Sequence, residues 1–303
     1  MFLRLSVALL LLQSLFTART EVVAVPVTVT DSRDRHVSGL SQEDFRVFED
    51  DRPQPITLFS RGDTPLTLAL VVDRSQSMRT KTSALLAVVG VLARSNRPGD
   101  QMFAVTFNDH VELALPAGQP FTNDAKQLEA SLAAVRAEGE TALYDGVVEG
   151  LQHLRLGQPG KHALVIVSDG GDNASRETYD RVLALARQSD VVIYAIGLLG
   201  TSPDQEEEDA GLLKRLCGDT GGVAHFPQGE TASEIVALST EVARDIREQY
   251  MLGFTPSERT GGRAFRTIRV TVTAPGRGRL HVRTRSGYLA GGDKGGHDDK
   301  ETP

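Results

Sequence analysis

The chain of 303 residues allows one large domain or two modest ones, and its 40% hydrophobic and 24% charged residues are typical of a globular protein. Its formal net charge of −7 and its lack of tryptophan disfavour nucleic-acid binding, which needs basic surfaces and stacking aromatic rings. The same charge disfavours attraction to anionic membranes. The composition leaves the oligomeric state open.

Residues 1–20 are typical of a signal peptide, with Arg4 ahead of an apolar stretch that is short for a bilayer span. We therefore expect an exported protein, periplasmic or secreted. If cleavage follows Ala18, Phe16 stands where a small residue is preferred, so an uncleaved N-terminal anchor is the alternative, and only then is membrane contact expected. Cys217 is the only cysteine, which excludes an internal disulfide and favours a small buried apolar residue near a helix end.

The rest of the chain divides by its hydrophobic pattern. Residues 21–62 alternate apolar and polar positions and are β-rich, and residues 250–290 return to that pattern. Between them, residues 65–249 alternate apolar strands with helices, which predicts an α/β fold with a doubly wound, mostly parallel sheet. Since each β-rich flank is too short for a stable sheet, we expect both to form one small β-sandwich into which the α/β domain is inserted. Residues 291–303 have few apolar side chains and are predicted to be disordered.

Polar oxygens follow the predicted strands at positions where a parallel sheet binds ligands. Asp73 ends the strand LALVVD, and Ser75 and Ser77 leave the same turn. Asp169 ends the strand ALVIVSD, and Thr141 begins a helix after the loop AEGE. If the two strands are neighbours at the point where strand order reverses, these side chains share one crevice. Two carboxylates and three hydroxyls suit Mg²⁺, Mn²⁺ or Ca²⁺ rather than Zn²⁺ or copper.

These residues carry a family resemblance. The pattern Asp73-x-Ser75-x-Ser77 with a distant Thr141 and with Asp169 in Ser-Asp-Gly resembles the metal-ion-dependent adhesion site (MIDAS) of von Willebrand factor type A (VWA) domains. The resemblance covers about residues 65–249 and implies a Rossmann-like VWA fold. The flanks, with VTVTDSRDRHVSGLSQEDFRVFEDDRPQPI and YMLGF, FRTIRVTV and RSGY, are similar to a bacterial group of exported VWA-related proteins.

The resemblance also implies roles. In this family Ser75, Ser77 and, with ligand bound, Thr141 would coordinate the metal directly, while Asp73 and Asp169 would act mainly through water. One coordination position would remain for an Asp or Glu of a protein partner. The metal would be a recognition device, not a catalyst. Arg74 fills a variable position of the motif, where it could place positive charge at the rim of the site.

Two other interpretations of the site stay open. An Asp after the first strand also resembles Mg²⁺-dependent phosphoryl-transfer enzymes, although Ser75 occupies the position of their second acid. The site could instead be vestigial in a structural module, with the same residues capping turns and helices. The tripeptide Arg61-Gly62-Asp63 is interpreted as a linker, and the acidic run 205–210 as the solvated start of a helix.

Overall fold

The computed structural model describes residues 22–62, 64–198, 203–227, 231–256 and 264–290. The predicted signal peptide (1–20), the predicted disordered tail (291–303), Asp63 and the side chains of 205–208 in the acidic run lie outside the described residues. Within the described part, no helix is both long and apolar enough to span a membrane.

The described strands are β1 Val23–Thr30, β2 Phe45–Glu49, β3 Arg52–Gln54, β4 Leu58–Arg61, β5 Leu66–Asp73, β6 Gln101–Phe107, β7 Val111–Leu113, β8 Lys161–Ser168, β9 Val192–Gly197, β10 Ala224–His225, β11 Tyr250–Phe254, β12 Phe265–Val272, β13 His281–Thr284 and β14 Gly287–Leu289. The helices are α1 Thr82–Arg94, α2 Ala125–Ala133, α3 Leu143–Leu154, α4 Tyr179–Gln188, α5 Pro203–Thr220 and α6 Ala232–Glu248, with short 3-10 turns at Gln42–Asp44 and Gln76–Lys81.

The central sheet has six strands in the order β10-β9-β8-β5-β6-β7. All pairs are parallel except β6–β7, a hairpin at the edge. Every residue of β5 is buried, as a strand covered on both faces requires. The chain runs from β5 to β6 on one side and returns to β8 on the other, so strand order reverses between β5 and β8. The predicted crevice therefore lies at the carboxyl ends of these two neighbouring strands.

Two groups of helices flank this sheet. Helix α1 contacts α2 and α6, whereas α3 contacts α4, and α4 contacts α5. Polar side chains define several helix starts, because Asp124 accepts hydrogen bonds from the first turn of α2, and Thr178 and Thr231 do the same for α4 and α6. The doubly wound, mostly parallel α/β fold predicted from the sequence is confirmed.

Strands from both ends of the chain form two further four-stranded sheets, β13-β1-β11-β4 and β14-β12-β2-β3. All pairs in them are antiparallel. Their inward side chains form a second hydrophobic core, in which Phe45 lies 5.1 Å from Tyr250 between ring centroids. The sandwich built from both flanks is thus present, since each of its sheets takes strands from both ends of the chain and the two sheets share one core.

The sandwich joins the α/β domain at the amino ends of the parallel strands, where β5 and β8 begin. The Lys161 ammonium is buried there and donates to the carbonyl oxygens of Arg247 and Gln249, at 2.9 and 2.8 Å. Asp100 is also buried, accepts from the Leu66 backbone at 2.8 Å and pairs with the Arg247 guanidinium at 2.5 Å. This polar junction lies at the amino ends of the parallel strands, and the predicted crevice lies at their carboxyl ends.

Cys217 lies fully buried in α5, in agreement with the sequence prediction. Burial raises the pKa of its thiol, so the residue is an inert packing element rather than a reactive thiol.

Candidate metal centre

Asp73 ends β5 and is fully buried at the reversal point. Its Oδ1 accepts from the Ser75 backbone N–H at 2.8 Å, and its Oδ2 accepts from the Ser168 hydroxyl at 2.6 Å. Burial raises the pKa of this carboxyl to about 6, and the nearby charge of Asp169 adds to the rise, while the bonds from Ser168 and Ser75 oppose it. The ionised carboxylate is therefore less favourable here than in water, and a bound cation would offset that cost.

The two serines of the motif lie in the turn after Asp73. Ser75 is buried and occupies the N-cap position of the 3-10 turn Gln76–Lys81 without a capping side-chain hydrogen bond, whereas Ser77 is exposed. Their hydroxyl oxygens lie 3.0 Å apart. Octahedral Mg²⁺ with oxygens at about 2.1 Å places neighbouring ligands about 3.0 Å apart. The two hydroxyls therefore have the spacing of adjacent octahedral positions, and without a cation they hydrogen-bond to each other.

The loop before Thr141 is held against this turn by backbone hydrogen bonds. Glu138 N–H donates to the Arg74 carbonyl at 2.8 Å, and Gln76 N–H donates to the Gly139 carbonyl at 3.0 Å. Gly139 has a φ of +81°, and a Cβ there would overlap the Asp109 carboxylate. This backbone conformation places Thr141, which is 8% exposed, beside the Asp73 turn.

A second set of hydrogen bonds ties Thr141 to the loop after β8. Thr141 N–H donates to the Asn173 side-chain carbonyl at 2.8 Å. The Thr141 carbonyl in turn accepts from the backbone N–H groups of Asn173 and Ala174, at 3.0 and 3.2 Å. The three loops that carry the predicted ligands are thus joined to one another. Sequence reasoning missed Asn173, and no local pattern marks it.

Asp169 follows β8 directly and is paired with a lysine. Lys81 Nζ lies 3.3 Å from Asp169 Oδ2 and donates to the Leu198 carbonyl at 2.5 Å. Sequence reasoning missed this lysine as well. The signal available was its closeness in sequence to the motif, four residues after Ser77.

Arg74 differs from the sequence expectation. It was expected at the rim of the site, but the side chain is 2% exposed, and burial lowers the pKa of its guanidinium. Its Nε and one terminal nitrogen have no hydrogen-bond partner. The Arg74 backbone is fixed on both sides, since its N–H donates to the Phe107 carbonyl and its carbonyl accepts from the Glu138 N–H, both at 2.8 Å, so the residue starts from between two other segments rather than from the rim.

The donor chemistry fits a hard divalent cation. Among the described residues, no group of three His, Cys, Asp or Glu side chains could hold a metal ion, so a cation at this edge would depend on hydroxyl oxygens as well as carboxylates. Asp73, Ser75, Ser77, Thr141 and Asp169 offer such a set on three joined loops. Oxygen-only donors of this kind suit Mg²⁺, Mn²⁺ or Ca²⁺. Their roles as ligands stay a prediction.

Comparison with known proteins agrees with this topology. A sequence profile of the von Willebrand factor type A domain matches residues 67–240, more than half of the 303-residue chain. The chain belongs to the von Willebrand factor type A family. The match includes β5 and β8 together with all five predicted ligand positions of this VWA domain.

The chain aligns with several solved structures at low sequence identity. A von Willebrand factor type A protein from Catenulispora acidiphila aligns with a TM-score of 0.50 and 11% identity, over 81% of this chain and 73% of that one. The PilB minor pilin from Streptococcus sanguinis aligns with a TM-score of 0.46 and 15% identity, over 65% of this chain and 63% of the pilin, so this chain spans less than two thirds of it. The pilus adhesin SpaC from Lactobacillus rhamnosus GG aligns with a TM-score of 0.48 and 11% identity, over 80% of this chain and 47% of the adhesin. No curated protein matches the chain.

Proposed function

We propose that this chain is an exported, non-catalytic module whose VWA domain binds a protein partner through a divalent cation. The observation that carries the proposal is the convergence of three loops at one sheet edge. Hydrogen bonds join Asp73 to Ser75 and Ser168, Gly139 to Gln76, and Thr141 to Asn173. Five oxygen-bearing side chains in the order of the adhesion-site motif lie on these loops.

The cation, Mg²⁺ or else Mn²⁺ or Ca²⁺, would supply one Lewis-acidic position for a carboxylate of the partner. Ser75 and Ser77 would hold it through their hydroxyls, with Thr141 completing the set when ligand is present. Asp73 and Asp169 would contribute through water and provide the negative charge. Because the protein offers only two carboxylates, the bound cation would keep a net attraction for an Asp or Glu side chain.

The residue types do not favour phosphoryl or hydrolytic chemistry. A phosphoryl-transfer site of this topology needs a general acid two residues after the first Asp, and Ser75 stands there with its hydroxyl bonded to Ser77. We therefore expect no turnover in a screen of phosphate and ester substrates with Mg²⁺ present. Hydrolysis that is lost in Asp73→Ala would contradict the non-catalytic proposal.

Calorimetric titration of the purified protein with Mg²⁺ and Mn²⁺ tests the cation site directly. We expect saturable binding and a raised melting temperature, because a ligand specific to the folded state stabilises it. Asp73→Ala should abolish both effects while the far-UV circular dichroism stays native. No heat and no melting shift would favour a structural module with a vestigial site.

The partner is tested by capture from the exported proteins of the native organism, with Mg²⁺ or with EDTA. We expect specific retention with Mg²⁺ that is lost in EDTA and in Asp73→Ala. Retention that is equal in EDTA would contradict a cation-dependent contact. Detection of the chain in the periplasm or the medium tests export.

A further inference from the structure

We propose that Lys81 is a built-in counter-cation of the candidate metal centre, which lowers the affinity of the empty site for a divalent cation and raises the affinity of the loaded site for a carboxylate. This inference rests on the proposed function and deepens it. It concerns the ligand specificity of the site, which the residues Asp73, Ser75, Ser77, Thr141 and Asp169 leave undetermined.

The geometry of Lys81 is that of a fixed charge rather than a surface side chain. Its side chain is 12% exposed and that of Asp169 is 10% exposed, so solvent screens this pair little. The ammonium has two directed contacts, at 3.3 Å to Asp169 Oδ2 and at 2.5 Å to the Leu198 carbonyl. Lys81 ends the 3-10 turn that follows Ser75, so one short segment carries two predicted ligand hydroxyls and a cation.

The ammonium and a bound cation would draw on the same carboxylate. In the metal-free protein, Lys81 neutralises Asp169, which would otherwise be a largely buried and unpaired charge. A divalent cation that binds near Asp169 is repelled by the ammonium, because like charges a few ångströms apart oppose each other even in a high dielectric. Lys81 thus stabilises the empty site and opposes its loading.

The same charge has the opposite effect on an anionic ligand. Asp73 and Asp169 contribute two negative charges, Lys81 one positive charge, and a divalent cation two more, so these four groups together have a net charge of about +1, to which the buried Arg74 beside Asp73 adds. Without Lys81 that sum is zero. A loaded site with net positive charge attracts a carboxylate, which connects Lys81 to recognition of an acidic partner.

The purely structural alternative is that Lys81 only bridges the turn to Leu198. Two substitutions separate the roles. Lys81→Gln keeps hydrogen-bond donors for Asp169 and Leu198 but removes the charge, and Lys81→Met removes both. Lys81→Arg keeps the charge, and Lys126→Met removes an exposed lysine from the first turn of α2 as a matched control.

The first measurement is Mn²⁺ binding by calorimetry. We expect Lys81→Gln to tighten Mn²⁺ binding about tenfold, because the substitution removes the Coulomb repulsion between the ammonium and a divalent cation. Lys81→Arg and Lys126→Met should stay within about twofold of the wild type. Unchanged or weaker Mn²⁺ binding in Lys81→Gln overturns the proposal.

The second measurement is acetate binding to the Mn²⁺-saturated protein, followed by the change in water-proton relaxation as acetate displaces bound water. Lys81→Gln should bind acetate several-fold more weakly, and an equal acetate affinity overturns the claim that Lys81 favours an anionic ligand.

The third measurement is thermal melting. In EDTA, Lys81→Met should melt at a lower temperature than the wild type, and saturating Mn²⁺ should remove this difference in melting temperature. If the difference in melting temperature is the same with and without Mn²⁺, Lys81 only links the turn to Leu198, and the counter-cation role is overturned.

The outcomes separate this inference from the proposed function. If the wild type gives no Mn²⁺ heat but Lys81→Gln binds Mn²⁺, Lys81 blocks the site, which supports the counter-cation role and overturns cation loading by the natural chain. If neither protein binds Mn²⁺, both proposals are overturned.

Discussion

The Ser168 hydroxyl donates a 2.6 Å hydrogen bond to Asp73 Oδ2 and so joins the ends of the two central strands. Both side chains are fully buried, and the Ser168 oxygen also accepts from the Gly170 backbone N–H at 3.1 Å. The pair exists because the parallel register of β5 and β8 sets Val72 opposite Val167, which brings the next residue of each strand together. Ser168 therefore fixes the orientation of Asp73 and the start of the segment that carries Asp169.

Replacing Ser168 with alanine tests this role. The change leaves a buried carboxylate oxygen without its partner, so we expect a loss of about 1–3 kcal/mol in the free energy of unfolding, measured with urea in EDTA. Ser239→Ala is the matched control, since the buried Ser239 hydroxyl donates only to a carbonyl of its own helix and should change stability little. Equal losses in the two variants would show that Ser168 has no special role.

Asp73 and Asp169 should respond in opposite directions when each is changed to asparagine. Burial disfavours the Asp73 carboxylate and raises its pKa to about 6 from 3.8, so Asp73→Asn in EDTA should leave stability unchanged or raise it by up to about 3 kcal/mol. Asp169→Asn leaves the Lys81 ammonium without its carboxylate and should destabilise the protein by about 1–3 kcal/mol. Both should lose Mn²⁺ binding in calorimetry. Similar losses of stability in EDTA would contradict the difference.

Much of the fold was predictable because hydrophobic periodicity is a local signal. The continuous apolar runs that end at Asp73 and Ser168 are typical of strands covered on both faces, and helices between them indicate parallel pairing. The flanking strands alternate, and two incomplete sheets must share a core. The convergence of Asp73 and Asp169 followed from topology alone.

The rest depends on long-range contacts that no local pattern records. Lys81 and Asp169 are 88 positions apart, and Thr141 and Asn173 are 32 apart. The burial of Arg74 contradicts what its charge predicts, because the enclosing backbone comes from other segments. Such pairings are set by the register of strands and loops, which the one-dimensional pattern constrains only weakly.

Gly139→Ala tests whether the loop that carries Thr141 must keep its backbone shape. Gly139 and Gly99 both have positive φ, at +81° and +92°, but a Cβ at Gly139 would overlap Asp109 while one at Gly99 meets nothing within 4 Å. Gly99→Ala should cost about 1 kcal/mol of backbone strain and leave Mn²⁺ affinity unchanged. Gly139→Ala should cost more and weaken Mn²⁺ binding, measured by calorimetry. Parallel behaviour of the two variants would show that the loop geometry is not required.

The pair His162–Asp190, at 2.9 Å, should make stability depend on pH. Burial alone would lower the pKa of His162, but the hydrogen bond and charge of Asp190 outweigh burial and raise it. Burial would raise the pKa of Asp190, but His162 outweighs burial and lowers it. A histidine with a raised pKa stabilises the fold below its unfolded value of about 6.5, and this contribution is lost as pH rises through the folded value. The contribution of Asp190 is present above about 3.9 and is lost as pH falls.

The pair should therefore stabilise the protein most between about pH 4 and 6.5. Since Asp190 is partly exposed, we expect His162→Gln to cost about 0.5–1 kcal/mol at pH 5.5 and close to nothing at pH 9, measured by urea unfolding. The control is the exposed His110, whose replacement by glutamine should show no such difference. A loss in the free energy of unfolding of His162→Gln that grows toward pH 9 would contradict the expectation that the pair stabilises the protein mainly below about pH 6.5.

Asp100→Ala tests whether the polar junction and the candidate metal centre are energetically independent. Asp100 accepts from the backbones of Leu66 and Arg97 at 2.8 and 2.6 Å and pairs with the Arg247 guanidinium, all at the amino ends of the strands. Removing it leaves a buried guanidinium without its carboxylate, so we expect a loss of about 3–5 kcal/mol in the free energy of unfolding. Glu129→Ala, which breaks a surface ion pair, should cost less than about 1 kcal/mol. Mn²⁺ affinity, measured below the unfolding transition, should stay within about twofold of the wild type because the opposite edge of the sheet is not altered. A large change in Mn²⁺ affinity would mean that the sandwich junction and the cation site are coupled through the sheet.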